Sequence, residues 1–331
     1  MLKDYNQVHN GTMPQRTKIA ITIGDPAGIG PEIVLKALLS AELSEACRSL
    51  IIGSKAVIGE ASERLGIAFD SRQYDVLDPG DIKNRTFARG KATSEGGKEC
   101  VAYIRKAVEL TMMGVVDAIV TAPISKESLK LAGFPWPGHT EMLAELTGTE
   151  DYAMVLCGGP LRVILATIHA ALRKVPDMVT RDRVLKTITM ANRACNLIGI
   201  KEPRIAVAGL NPHSGEAGIF GNEEGTEIAP AVEEAKAMGI PVSGPYPADA
   251  LFHKAYKGEF DIVVCMYHDQ GLVPLKMIAF DKGVNMTVGL PFIRTSPDHG
   301  TAYDIAWKGI ADPSSLIEAA KLAAKLGGRD K

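Results

Sequence analysis

Short apolar runs, bounded by polar and glycine-marked turns, recur along the chain, and longer stretches between them carry apolar residues at helical spacing. Lys18-Ile19-Ala20-Ile21-Thr22-Ile23 is the first run, and others fall near 49–53, 117–122, 153–157, 161–167, 204–209, 261–266 and 285–289. Runs of this length predict buried strands. Helical spacing predicts a helix from Pro31 through Ala41 and others over 95–114, 178–197, 223–238, 299–308 and 312–326; in 178–197 the apolar set is Val179, Val184, Leu185, Ile188 and Ala191. Strands alternating with helices predict βαβ units and a mainly parallel sheet covered on both faces, an α/β fold. Residues 1–15 are polar, with Gly11 and Pro14, and are expected to form a loosely ordered tail.

Three of the strands run into polar turns that each carry a histidine: His169 after Val163–Ala166, His213 after Ile205–Ala208 and His268 after Ile262–Cys265. Three strands releasing imidazoles from one end of a sheet could converge on a divalent cation and leave coordination positions open for a substrate. No His-x-x-x-His spacing reinforces this, so ordinary solvated or core histidines are the competing account. His9, His253 and His299 are expected to be such ordinary residues, the last two on helical stretches.

Other polar clusters carry two meanings each. The glycines after the first strand stand at 24, 28 and 30, which is not the G-x-G-x-x-G of a Rossmann turn, and the second strand has no acidic residue clearly at its end. The loop is also no Walker A motif; a tight strand-to-helix turn and an active-site role both remain open. His139 and Thr140 begin a helix after Phe134-Pro135-Trp136-Pro137. They could form an anion site, or Thr140 could be a plain N-cap. Lys276, Asn285 and Arg294 follow His268 in one segment and supply the charges and neutral donors that a phosphate or carboxylate requires.

Composition narrows the class. A chain of 331 residues favours two domains, with no flexible linker between them, and 46% hydrophobic with 23% charged residues is ordinary for a globular protein. A net charge of −2 argues against nucleic acid or an anionic membrane as the main partner. No apolar run approaches the roughly 20 residues of a membrane span, and the N-terminus lacks the apolar core of a signal peptide. The five scattered cysteines form no C-x-x-C, which suits reduced thiols and a cytoplasmic location.

Several blocks together resemble the 4-hydroxythreonine-4-phosphate dehydrogenase family: Gly24–Glu32, Pro137–Glu141, Gly209–Glu216, Met266–Gly271, Gly289–Ser296 and Asp298–Ala302. The resemblance runs from about residue 18 to the C-terminus. It implies a two-domain α/β/α fold similar to isocitrate and isopropylmalate dehydrogenases, which bind NAD without Rossmann glycines. The expected division is 16–125 plus 297–328 for one domain and 126–296 for the other. The resemblance further implies a homodimer with active sites shared between chains, His169, His213 and His268 as ligands of a divalent metal (Zn, Mg, Co or Mn), and His139, Thr140, Lys276, Asn285 and Arg294 as substrate contacts. A shared site that took His169 from one chain and His268 from the other is the expectation. Strings such as Tyr152–Leu156 and Ala171–Lys174 look closer to a subgroup acting on 4-phospho-D-threonate and 4-phospho-D-erythronate than to the vitamin B6 enzyme. Such an enzyme would oxidise the C3 hydroxyl and lose CO2. Asp249 is the candidate for proton transfer or nicotinamide support, or else a helix N-cap, and Lys126 is a weaker candidate. A histidine–metal hydrolase and a silent binding protein for phosphorylated acids are the competing classes.

Overall fold

The computed structural model describes residues 16–70, 73–80 and 88–328; the polar tail over 1–15, with His9, lies outside them. The chain lays down β1 (Lys18–Thr22), α1 (Gly30–Leu38), α2 (Ala41–Ala46), β2 (Arg48–Ile52), α3 (Lys55–Leu65), β3 (Asp75–Leu77), α4 (Ser94–Met112) and β4 (Ala118–Thr121). It continues through α5 (Lys126–Leu131), α6 (His139–Thr147), β5 (Ala153–Gly158), β6 (Leu161–Leu165), α7 (Val175–Met178), α8 (Arg181–Leu197), β7 (Ile205–Ala208), α9 (Ala229–Ala237) and β8 (Val242–Tyr246). The remaining elements are α10 (Ala248–Tyr256), β9 (Ile262–Cys265), α11 (His268–Ala279), β10 (Val284–Val288), β11 (Ile293–Pro297) and α12 (Ser314–Gly327).

All described strands join one sheet in the order β3-β2-β1-β4-β11-β10-β5-β6-β9-β7-β8. Pairing is parallel at both ends, and only β11–β10, β10–β5 and β5–β6 in the middle are antiparallel. The fold is thus α/β with a large, mostly parallel sheet. β1, β4, β7 and β9 are buried nearly throughout, as strands covered on both faces must be, which is why they read as unbroken apolar runs.

The apolar interior falls into separate clusters on the two halves of the sheet. One gathers β1, β2, α1, α4 and α12 around Ile19, Ile51, Ile104 and Leu316; the others gather β6, β7 and β9 with α8, α9, α10 and α11. Leu129, Trp136, Met142 and Leu143 pack in the first cluster, so the core itself does not change hands at residue 126.

Most predicted elements form within a few residues of their expected bounds. One does not. Residues 299–308 are a run of turns, because their groups serve distant neighbours: Thr301 O accepts from Ile29 N–H at 3.0 Å, and the Trp307 side chain donates to Pro26 O at 3.0 Å. Ala302 and Trp307 also hold positive φ, incompatible with a helix. Strands β3, β8 and β11 and helices α2, α3, α5, α7 and α11 lie outside the predicted elements; β11 is polar at Arg294, Thr295 and Ser296, and α11 is interrupted by Pro274.

Candidate active site

β6, β9 and β7 are adjacent and parallel, so the three histidine-bearing turns leave the same end of the sheet, where open α/β sheets place their ligands. The turns diverge beyond that point. His169 and His268 come together, with ring centroids 5.9 Å apart. His268 Nδ1 lies 2.7 Å from Asp269 Oδ1, which fixes the ring and leaves Nε2 outward. His169 titrates below the ordinary histidine value because of partial burial, then the nearby Lys126 and His268 charges. A neutral imidazole is the form that binds metal.

His213 goes elsewhere. It lies exposed against Phe220 at 6.1 Å, on a turn in which His213, Ser214, Gly215, Glu216 and Ala217 all adopt left-handed backbone. Left-handed geometry costs a non-glycine residue about 1–2 kcal/mol, so this turn is imposed by its surroundings. Glu224 imposes it. Its buried carboxylate accepts from Leu210 N and Asn211 N at 2.7 Å each and from Asn211 Nδ2 at 3.0 Å. Among the described residues, no three His, Cys, Asp or Glu side chains of one chain are grouped to hold a metal ion. The expectation divided His169 and His268 between chains; the two rings lie side by side in one chain, and His213 is the residue apart.

A cavity of about 610 Å3 adjoins the histidine pair. Its walls are Pro123, Ile124 and Lys126, Pro137–Glu141, Tyr152–Met154 with Leu156, and Ser296–Gly300, with Asn285 and Arg294 between them. Arg294 is 1% exposed and its guanidinium donates only to hydroxyls, Thr287 Oγ1 at 3.0 Å and Thr121 Oγ1 at 2.6 Å, with Nε unpartnered. Burial pulls its titration down to about 9, opposed by the Glu141 charge. His139 Nε2 and Asn285 Oδ1 are also buried without partners, while the Asn285 amide donates to Met154 Sδ, a weak acceptor. Burial, then the Arg294 charge, hold His139 well below the ordinary histidine value. Gly138 is the N-cap of α6 and no side chain caps it, so Thr140 is a first-turn residue and not the N-cap.

Besides His213, two expected residues stand outside this cavity. Lys276 Nζ bonds Asp298, at 3.1 Å to Oδ2 and 3.3 Å to its carbonyl, so it braces the wall. Asp249 is exposed in the first turn of α10, accepts from Ala250 N at 2.9 Å, and lines a separate apolar hollow with α11. His299, expected on a helix, sits in a turn and lines the cavity. Glu141, Met154 and Gln270 carried no signal as individual residues. Gln270 ties two histidine turns together, accepting from Met266 N at 2.6 Å and donating to Gly209 O at 2.7 Å.

Known proteins share this architecture and sequence. A 4-hydroxythreonine-4-phosphate dehydrogenase of Desulforapulum autotrophicum is 48% identical over 323 residues, covering 93% of this chain and 95% of that protein. A D-threonate 4-phosphate dehydrogenase of Pectobacterium atrosepticum is 47% identical, covering 93% and 98%. The crystal structure of the 4-hydroxythreonine-4-phosphate dehydrogenase from Klebsiella pneumoniae superposes with a TM-score of 0.87 at 42% identity, covering 95% and 99%. The family model described as pyridoxal phosphate biosynthetic protein PdxA matches residues 45–323, and the chain belongs to that dehydrogenase family.

Proposed function

We propose that the chain is a metal- and NAD-dependent dehydrogenase that oxidises the C3 hydroxyl of 4-phospho-D-threonate or 4-phospho-D-erythronate and releases dihydroxyacetone phosphate and CO2. The observation that carries this reading is Arg294, a buried cation with no carboxylate hydrogen-bonded to it, facing a cavity where His139 Nε2 and Asn285 Oδ1 also lack partners. A buried guanidinium in that state calls for an anion, and the uncapped start of α6 beside it favours the same charge. The phosphate would lie there.

His169 and His268 would hold the divalent metal with a third ligand, His213, from a second copy. When bound, the metal supplies Lewis acidity toward the alcohol and the enolate oxygen. NAD supplies the hydride acceptor; the cavity runs past Arg294 to the Pro297–Gly300 wall, with more room than a four-carbon acid fills. Lys126, in the wall beside His169, is better placed than Asp249 of the same chain to take the hydroxyl proton. The resulting 3-keto acid loses CO2 because the ketone accepts the electron pair, and Lys126 would return the proton to C2.

A homodimer supplies the missing ligand. The apolar hollow of about 810 Å3 between α10 and α11 begins at Asp269, next to His268, and exposes Val273, Met277 and Tyr256. His213 in turn is flanked by exposed Ile219 and Phe220. An apolar face beside two ligands and apolar residues beside the third suit reciprocal docking of two copies.

Relatives are named for both the amino and the hydroxy substrate, so the C2 substituent is the finer question. The wall carboxylate of Asp298 is already bonded to the Lys276 ammonium. This supports a neutral C2 hydroxyl over an ammonium. Parallel assays on 4-phospho-D-threonate, 4-phospho-D-erythronate and 4-phosphohydroxy-L-threonine test it; preference for the amino substrate overturns it.

A further inference from the structure

Asp25, in the loop after β1, is completely buried and does not line the cavity. Its carboxylate is fully engaged. Oδ1 accepts from Ala27 N at 2.9 Å, and Oδ2 accepts from Ser128 Oγ and from Tyr303 Oη, both at 2.7 Å. Ser128 and Tyr303 also touch each other at 3.1 Å, closing a three-membered network. The first turn of α4 approaches Oδ1 so closely that a Cβ on Gly96 would lie 2.9 Å from it, and the positive end of that helix favours the anion.

The two hydroxyl donors belong to the two walls of the cavity. Ser128 lies in the first turn of α5, two residues beyond Lys126 and continuous with Pro123–Ile124. Tyr303 ends the stretch that begins with Pro297, Asp298, His299 and Gly300. The backbone repeats the connection: Asp25 N donates to Pro123 O at 2.9 Å, and Ile29 N donates to Thr301 O at 3.0 Å. Gly24 permits this approach, because at its φ of 69° a Cβ would collide with Pro123 O. α5 and the Pro297–Tyr303 segment are otherwise far apart in sequence.

We infer that Asp25 is a positioning residue that locks the Pro123–Lys126 wall to the Pro297–Gly300 wall and so sets the width of the cavity. The Gly24–Glu32 loop thereby acts at the site without contacting a ligand. The inference rests on reading this cavity as the active site, and two separate readouts keep the two apart.

The test uses the full-length enzyme with metal, in Tyr303→Phe, Asp25→Asn and double variants. Hydrogen–deuterium exchange across 297–303 should rise roughly five-fold or more in each single variant. KM for the phosphorylated acid or for NAD should rise roughly ten-fold with kcat changed much less, because the walls are displaced while the reacting groups are kept. The double variant should be no worse than Asp25→Asn, since one bond is removed by either change. Tyr303→Phe keeps the test valid if Asp25→Asn does not fold. Unchanged exchange across 297–303 in Tyr303→Phe overturns the inference. Raised exchange with unchanged KM upholds the lock and overturns the cavity as the substrate site.

Discussion

His169 and His268 stand with ring centroids 5.9 Å apart in one chain, while His213 leaves the neighbouring parallel strand on an exposed left-handed turn. In the proposed dimer each site then takes two histidines from one copy and His213 from the other. Mixing His213→Ala with His268→Ala subunits should return about a quarter of wild-type activity: about half the dimers are mixed, and each has one intact site. Mixing His169→Ala with His268→Ala should return none. Recovery in the second mixture would contradict the assignment of both residues to one site.

Glu224 holds His213 outward by taking three hydrogen bonds from Leu210 and Asn211. Glu224→Ala should let the left-handed turn relax, because roughly 1–2 kcal/mol is released at each non-glycine residue. Metal affinity, measured by titration calorimetry, should fall ten-fold or more. Wild-type affinity in a folded variant would show that the turn is not needed to present His213.

Arg294 and Lys276 should behave differently. Arg294→Ala removes a buried cation from the cavity and should lower kcat/KM for phosphorylated substrates at least ten-fold more than for unphosphorylated analogues, as a charge-assisted bond of about 1.5–3 kcal/mol requires. Lys276→Ala, whose ammonium is bound to Asp298, should do less. Equal losses on both substrate types would remove Arg294 from the phosphate.

Burial keeps His139 neutral well below its ordinary value of 6.5. Below that pH the unfolded chain takes up a proton that the folded chain refuses, so stability is lost as pH falls from 6.5 toward the depressed folded value and is unaffected above it. Thermal melts from neutral pH downward should show this loss in the wild type and a shallower one in His139→Gln. Parallel curves would place the acid sensitivity elsewhere.

Strands made of apolar residues were legible, such as Ile262–Cys265, where tertiary context and local pattern agree, whereas β11 is nearly as buried but polar at Arg294, Thr295 and Ser296 and was missed. The 299–308 helix failed for the opposite reason: its spacing is helical, but Thr301 O is bonded by Ile29 N, far away in sequence. The three histidine turns were visible as a set because each ends an apolar run. That His213 parts from the other two was not visible, because the turn is anchored by Glu224, thirteen positions beyond Asn211. Cavity residues such as Met154 and Glu141 gain meaning only from what the fold sets beside them.

The proposed interface is the apolar face around Val273 and Met277, which are 62% and 81% exposed. Charged substitutions there, Val273→Glu with Met277→Glu, should yield monomers in sedimentation and abolish turnover together. A dimer that survives both changes would place the interface on another face.

The most direct test of the central claim is the rate of NAD reduction by purified, metal-loaded protein given 4-phospho-D-threonate, with CO2 release followed in the same reaction. We expect one CO2 per NADH, loss of both signals on chelation, and their return with added divalent cation. NADH formation that survives complete metal removal, or phosphate ester turnover without NAD, would contradict it.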